Sequence, residues 1–366
     1  MTINRQLQFF LENENQPYLL LCGDCLEILK TFPDNVVNCV ITSPPYWQQR
    51  KYAHENGEDV ILIGDEKSPD EYVKNLAVIF SEVKRVLAKD GSLWLNLGDK
   101  YINKNLMGMP WRVALALQED GWILRNDIIW DQMKGTQSAK DRLRNIHEHI
   151  FHFVQQRKYY YAHNEIRIKP PVRAKNKNGI MISATGVSGK KYFKQIKEST
   201  VLTKEEKENA LAALQETIEE MRRGEVVDFR MTIRGNQRTY HSNHKKISGR
   251  AKDLEKKGFF IMKMRSTGHL PSDIWRIVPE DQWRKDAHYA VFPEELLVNP
   301  IKATCPPRGI VLDPFSGIGS AVNAAIKLNR RGIGIDISQQ YTDTAAKRIE
   351  ETVKTHYSMP SLFPLE

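Results

Sequence analysis

The run Val36-Val37-Asn38-Cys39-Val40-Ile41 passes directly into Thr42-Ser43-Pro44-Pro45-Tyr46-Trp47, and no other stretch restricts the architecture as much. Length and β-branching mark the first six residues as a buried strand. Two consecutive prolines lack the N–H that a ladder requires, so the sheet has to stop there. A hydroxyl, free carbonyls and two aromatic rings are thereby gathered at a strand's carboxyl end. Acceptors for hydrogens and rings for a flat face suit a planar group carrying an exocyclic amino group. A proline-rich turn that merely caps a strand is the plain alternative, and a second motif decides between them.

That motif is Gly309-Ile310-Val311-Leu312-Asp313-Pro314-Phe315-Ser316-Gly317-Ile318-Gly319-Ser320. It reads as strand, glycine-rich turn and helix, the helix over 321–328. A last strand, 332–335, ends on Asp336. Glycines at such a turn let backbone approach a ligand, and an acid at the end of the next strand accepts ribose hydroxyls. The longer dinucleotide fingerprint is not met, because Val322 stands where Gly or Ala is needed. Asp313 would also repel a pyrophosphate. A carboxylate at that strand end instead suits a cationic or zwitterionic ligand, and S-adenosylmethionine, with its ammonium, sulfonium and ribose, fits all of these features.

Between the two motifs the pattern alternates strand and helix. Strands are expected at 18–22, 92–97, 122–130 and 146–154, and helices at 26–29, 69–87 and 110–119. Ser68 caps the longest of these helices, with Pro69 and early acids in its first turn. Asp24 sits just past the first strand, where open α/β sheets bind ligands. Residues 48–60, with His54, Asn56 and Gly57, read as a loop beside the site. His147, His149 and His152 do not form the helical zinc pattern, since Phe151 stands where its second histidine belongs. They are read as strand residues. Cys22 and Cys25 form a C-x-x-C without a second pair, so core cysteines and no metal site are expected.

The net charge of +9 is unevenly placed. Residues 165–265 hold 24 Lys and Arg against 12 Asp and Glu, a net +12, whereas the remainder is at −3. The α/β pattern also breaks there, apart from an amphipathic helix over 203–223. Basic stretches with interleaved aromatics surround it, Lys190-Lys191-Tyr192-Phe193-Lys194 and Arg238-Thr239-Tyr240-His241. This is the footprint of a polyanion-binding insertion. The expected division is therefore 1–164, 165–265 and 266–366. The first residues show no signal-peptide pattern and no apolar run reaches membrane-spanning length. A soluble cytoplasmic protein with no membrane partner is expected.

The two motifs together resemble the amino-group DNA methyltransferases, in the order of the β group: catalytic motif first, recognition insertion in the middle, cofactor motif last. The similarity covers roughly 18–164 and 266–350. Supporting matches are Arg85 to Leu87, Gly98-Asp99-Lys100-Tyr101, His147-Glu148-His149-Ile150 and Ala287 to Pro293. The resemblance implies a Rossmann-like, S-adenosylmethionine-dependent methyltransferase fold. Its mostly parallel seven-stranded sheet would have helices on both faces, one antiparallel strand and an inserted basic target-recognition domain. It implies catalytic roles for Ser43, Pro44, Pro45 and Tyr46. Asp313, Phe315, Gly317 and Gly319 would hold the methionine end, Asp336 the ribose, Asp24 and Cys25 the region of the adenine, and Phe292 would complete the pocket. Double-stranded DNA would be the substrate, and a restriction endonuclease the partner in a restriction–modification system. Ser at position 43 is the family's usual mark of N4-cytosine targets. N6-adenine methylation is the alternative within the family, and a non-catalytic DNA-binding protein the alternative outside it.

Overall fold

The computed structural model describes residues 2–49, 63–133, 139–236, 249–279 and 292–358. His54, Asn56 and Gly57, the run Arg238 to His241 and residues 287–291 lie outside the described residues. Two compact units are formed, Met1–Ile166 with Ser272–Glu366, and Arg167–Pro271. These breaks fall a few residues beyond 164 and 265, because Ile168 pairs with His269 in an isolated bridge below the last strand of the inserted unit.

The first unit begins α1 (Ile3–Glu12), β1 (Tyr18–Cys22), α2 (Cys25–Lys30), β2 (Val37–Thr42), α3 (Pro69–Val86) and β3 (Leu87–Leu97). It continues through β4 (Tyr101–Ile102), β5 (Asn105–Leu106), α4 (Met109–Glu119), β6 (Ile123–Asp131) and β7 (His147–Val154). The inserted unit holds β8 (Lys175–Lys177), β9 (Ile180–Ile182), α5 (Lys190–Glu198), α6 (Lys204–Arg222), β10 (Val226–Ile233), α7 (Arg250–Lys257) and β11 (Phe259–Arg265). The chain then returns through β12 (Ile274–Arg276), α8 (Glu294–Thr304), β13 (Ile310–Asp313), α9 (Ser320–Lys327), β14 (Arg331–Asp336) and α10 (Gln339–Ser358).

The sheet of the first unit runs β1-β14-β13-β2-β3-β7-β6-β12. Only β7 is antiparallel to its neighbours. The sheet has eight strands where the family resemblance implies seven. The eighth, β12, is three residues paired in parallel with the edge of β6.

Side chains alternate across this sheet with the two-residue period of a strand. Val40, Leu93, Leu95, Leu97, Phe151, Phe153 and Leu312 point to one face, which α2, α3 and α4 cover. Cys39, Ile41, Trp94, Ile150 and Val311 point to the other, beneath α8 and α9. The α3 start is built as its sequence suggests: the Glu71 N–H donates to Ser68 Oγ at 3.2 Å, and Pro69 opens the helix. On the far face, Glu294 of α8 accepts from Asn323 (2.7 Å) and Lys327 (2.8 Å) of α9 and from Arg348 (2.5 Å) of α10. Those cations hold its carboxyl below the usual range despite burial.

The histidines of β7 are strand residues with protein partners. His149 bonds Asp127 at 2.9 Å. His152 stacks on Trp94 at 4.1 Å and bonds Ser92, and its burial lowers its pKa to about 3. Among the described residues, no group of three or more His, Cys, Asp or Glu is gathered as metal ligands, and no helix is long and apolar enough to cross a membrane.

From β2 the chain crosses to β3 through α3 on one face, and from β13 it crosses to β14 through α9 on the other. The winding direction therefore reverses between β2 and β13, which are parallel neighbours. In an open α/β sheet, such a reversal leaves a crevice at the carboxyl ends of the two strands.

The inserted unit has its own core, with Ile196, Leu214, Met221 and Phe229 buried between α5, α6 and the antiparallel pair β10–β11. Thr203 and Glu206 form a complete capping box on α6. The lysine-rich stretch at 190–194, which reads as irregular, is the first half of helix α5. Its Tyr192 packs on Phe229 at 5.8 Å between centroids.

Candidate active site

Pairing of β2 with β13 sets Thr42 next to the end of the glycine-rich strand. The Thr42 hydroxyl donates to Asp313 Oδ1 at 2.6 Å, and the Phe315 N–H donates to the same oxygen at 3.0 Å. Asp313 is 5% exposed. Burial pushes its carboxyl up to about 7, against the lowering effect of these two donors, and the nearby charge of Asp336 adds to the rise. The two sequence motifs are thus joined directly, by a bond between one residue of each.

Around the turn, Gly317 has φ +50° and Gly319 φ +76°, both in the left-handed region. Their surroundings differ. A Cβ on Gly317 would meet nothing within 4 Å, whereas on Gly319 it would lie 3.0 Å from Ala345 Cβ and 3.1 Å from Ile349 Cδ1. Gly317 therefore leaves room for a ligand, and Gly319 lets α9 approach α10. The Gly317 N–H donates to Asp336 Oδ2 at 2.8 Å, and the Ser338 N–H to Oδ1 at 2.9 Å. This fixes the plane of the Asp336 carboxylate. The Gly23 N–H donates to the Asp336 carbonyl at 2.9 Å, which brings the β1 end alongside. Asp24 caps α2, accepting from the Glu27 N–H at 3.0 Å. The Cys25 thiol is buried in the core, and burial raises it to about 12. Phe292 lies apart from this set of bonds, edge-on to Trp130 at 6.4 Å between centroids.

The tip after β2 is held by residues that the sequence reading does not single out. The Tyr72 hydroxyl of α3 donates to the Pro45 carbonyl at 2.9 Å, so that carbonyl is already occupied. Trp47 is buried and its indole N–H donates to the Glu66 carbonyl at 2.8 Å. Ser43 and Tyr46 are half-buried and bonded to each other, Oγ to hydroxyl, at 3.1 Å. The Tyr46 hydroxyl donates to Glu148 Oε2 at 2.6 Å. Asn96 Nδ2 donates to Tyr46 Oη (2.7 Å), to Glu148 Oε2 (2.7 Å) and, at longer range, to Ser43 Oγ (3.3 Å). Burial and the adjacent Glu148 charge hold the Tyr46 phenol well above its ordinary value. Gly98 lies against the ring: a Cβ there would stand 2.6 Å from Tyr46 Cε2. A polar cleft of about 210 Å³, lined in part by Gly98, Asp99, Gln132, His147 and Glu148, opens beside this cluster. The signal for Asn96 was a polar residue set among apolar ones in a buried strand, and Glu148 stood within the His147-Glu148-His149-Ile150 match.

The family model for DNA methylases matches residues 37–347. The chain is 30% identical to the Type II methyltransferase M.SfiI of Streptomyces fimbriatus, over 88% of this chain and 89% of that one. It is 28% identical to M.Cfr9I of Citrobacter freundii, over 90% and 86%. Among solved structures, the PvuII DNA methyltransferase (cytosine-N4-specific) aligns with a TM-score of 0.54 at 16% identity, covering 92% of this chain and 93% of that one, a similarity of fold. From the joined motifs, the sheet that carries them and this extended match in sequence, the chain belongs to the DNA methylase family.

Proposed function

We propose that the protein is a site-specific DNA methyltransferase that moves a methyl group from S-adenosylmethionine to the exocyclic N4 of a cytosine flipped out of duplex DNA. We place it as the modifying half of a restriction–modification system. The observation that supports the reading is the Thr42–Asp313 bond, which joins the proline tip and the glycine turn at the carboxyl ends of two neighbouring strands. M.SfiI and M.Cfr9I are Type II methyltransferases, and the PvuII enzyme is cytosine-N4-specific. Ser43 in the catalytic tip favours the same target.

The residues fit the cofactor. Gly317 offers open space at the turn, the oriented Asp336 carboxylate would meet a ribose, and Asp313 at the end of β13 would meet the cationic part of the ligand. S-adenosylmethionine supplies an electrophilic methyl on a sulfonium. The work of this chain is to make the amino nitrogen a nucleophile, since its lone pair is delocalised into the base. Hydrogen bonds from its two N–H groups to Ser43 Oγ and the Pro44 carbonyl draw the nitrogen toward a tetrahedral form. Positioning and electrostatics then carry most of the barrier reduction. Tyr46 stacks on the base, its hydroxyl pinned by Asn96 and Glu148 and its ring backed by Gly98. The basic segment 165–265 binds the phosphates and reads the target sequence.

The test is to incubate the protein with labelled S-adenosylmethionine and plasmid DNA, digest to nucleosides and identify the product by mass spectrometry. N4-methylcytosine is expected. N6-methyladenine would replace the target base with the other one the family uses. Absence of any methylated nucleoside would overturn the reading.

A further inference from the structure

We infer that Ser43, Tyr46 and Glu148 form a proton relay that carries the proton released by the methylated amino group to the Glu148 carboxylate. This deepens the function proposed above and rests on it. The direction of each bond is set by chemistry. A carboxylate only accepts, and the Asn96 amide N–H₂ only donates. Asn96 Nδ2 and the Tyr46 hydroxyl both approach Glu148 Oε2, at 2.7 and 2.6 Å. Turning the Asn96 amide over would set its oxygen against that carboxylate, so the amide keeps its nitrogen there. The one hydrogen of Tyr46 must then go to Glu148. Its oxygen accordingly accepts, from Asn96 and from Ser43, whose hydroxyl lies 3.1 Å away. The Ser43 oxygen, its own hydrogen committed to Tyr46, is left as an acceptor toward the site.

An ordered line therefore runs from the amino-group holder to a carboxylate. When the nitrogen–carbon bond forms and the sulfur–carbon bond breaks, the nitrogen gains a positive charge and its remaining N–H groups become strongly acidic. One proton passes to Ser43 Oγ as Ser43 gives its own to Tyr46 and Tyr46 gives its own to Glu148 Oε2. The electron pair of the broken N–H bond returns to nitrogen. The products are a neutral methylamino base, a neutral thioether and a neutral Glu148 carboxylic acid. The other oxygen of Glu148 accepts from Gln132 at 2.8 Å, and the carboxyl lines the polar cleft, which gives the proton a way to water. Tyr46, with its raised pKa, passes the proton on and does not hold a charge. Glu148 acts through two other side chains and is a positioning and accepting residue. Of the three, Ser43 alone takes the proton directly from the base.

Among the described residues, the titratable groups around Glu148 are Tyr46 from the tip, Asp99 and Tyr101 beyond β3, and His147 on its own strand, the last three lining the same cleft. Trp130, opposite it on β6, carries no charge. The experiment is single-turnover methyl transfer from pH 5 to 8, with cofactor saturating so that protonation of Asp313, which acts on binding, drops out. The relay requires Glu148 to start ionised, so the wild-type rate is expected to carry an acid limb. Glu148→Gln preserves an acceptor for Tyr46 but cannot take the proton. Its rate should fall about 10²-fold or more and its acid limb should vanish, with S-adenosylmethionine affinity and the fluorescence of pyrrolocytosine at the target unchanged. Tyr46→Phe should show the same loss through a broken line with the ring retained, and it carries the test if Glu148→Gln melts early. His147→Gln should keep the limb. A Glu148→Gln rate within threefold of wild type, or a lowered rate with the acid limb intact, overturns the relay, as does loss of the limb in His147→Gln. A wild-type protein that methylates no DNA would overturn the function, a separate outcome.

Discussion

Thr42 and Asp313 share a hydrogen bond of 2.6 Å between the ends of two strands that pair directly in the sheet. In the proposed function, one belongs to the stretch that would hold the amino group and the other to the stretch that would meet the cofactor. A change at Thr42 should therefore be felt by the cofactor. Thr42→Val keeps the shape and removes the donor, leaving a buried carboxylate with one fewer partner, a loss of about 1–3 kcal/mol. The expected outcome is a lower melting temperature and several-fold weaker S-adenosylmethionine binding by calorimetry. Thr42→Ser should restore both.

The same carboxyl sets a pH dependence. Its pKa is raised to about 7 in the folded protein, from an unfolded value of about 3.9. The folded state therefore retains a proton that the unfolded chain has lost. Asp313 adds stability below about pH 4, and that contribution is lost as pH rises through about 7. A cationic ligand needs the ionised form, so cofactor affinity should move the opposite way, rising across this window. Calorimetry near pH 6 in buffers of different ionisation heat should detect a proton released on binding. Asp313→Asn should abolish both trends.

Ser43→Ala removes an acceptor for the amino hydrogen and leaves the Tyr46 ring in place. A rate loss of about 10²–10³ is typical of one preorganised hydrogen-bonding group, with cofactor affinity unchanged. Tyr46→Ala loses a stacking surface worth about 1–3 kcal/mol per base. A mismatch opposite the target lowers the energy of flipping, so it should partly rescue Tyr46→Ala and not Ser43→Ala. Equal rescue of both would show that the two roles are misassigned.

Gly98→Ala places a methyl 2.6 Å from Cε2 and 2.9 Å from Cδ2 of Tyr46. The ring must shift, and its 2.6 Å bond to Glu148 must lengthen. The expected result is a lower kcat with little change in cofactor Kd, although Gly98 touches neither substrate in the proposed arrangement. Steady-state kinetics beside calorimetry separates the two.

The net +12 of residues 165–265 predicts DNA affinity that falls steeply with salt. Each neutralised phosphate adds about 0.9 to the slope of log affinity against log salt. Replacing one phosphate-contacting Lys or Arg should reduce that slope by about one without changing sequence preference. Affinity for cognate DNA that is insensitive to salt would defeat this account.

The proline tip and the glycine turn are legible in the sequence because Pro44, Pro45, Gly317 and Gly319 restrict backbone whatever surrounds them. Helix α3 is legible because Ser68 and Pro69 act on neighbours a few residues away. Asn96 and Glu148 are another matter. Asn96 is one polar residue in an apolar run and Glu148 stands between two histidines, and their meeting depends on the register of β2 on β3 and of β3 on β7, which places Thr42 beside Leu95 and Asn96 beside Ile150. No local pattern contains that information. Helix α5 is hidden for a different reason: of its nine residues only Ile196 is buried, so charge dominates its appearance.

The pairing of β2 with β13 also has a consequence for synthesis. Asn38 Oδ1 accepts from the Ile310 N–H across 272 residues of sequence, so one side of β2 stays without its permanent neighbour until nearly the whole chain has left the ribosome. Contacts of such long sequence separation slow folding and leave strand edges open to other chains. A nascent chain halted after the inserted unit would hold the amino-group tip and the basic surface without the cofactor turn. Under the proposed function, such a chain occupies DNA without modifying it.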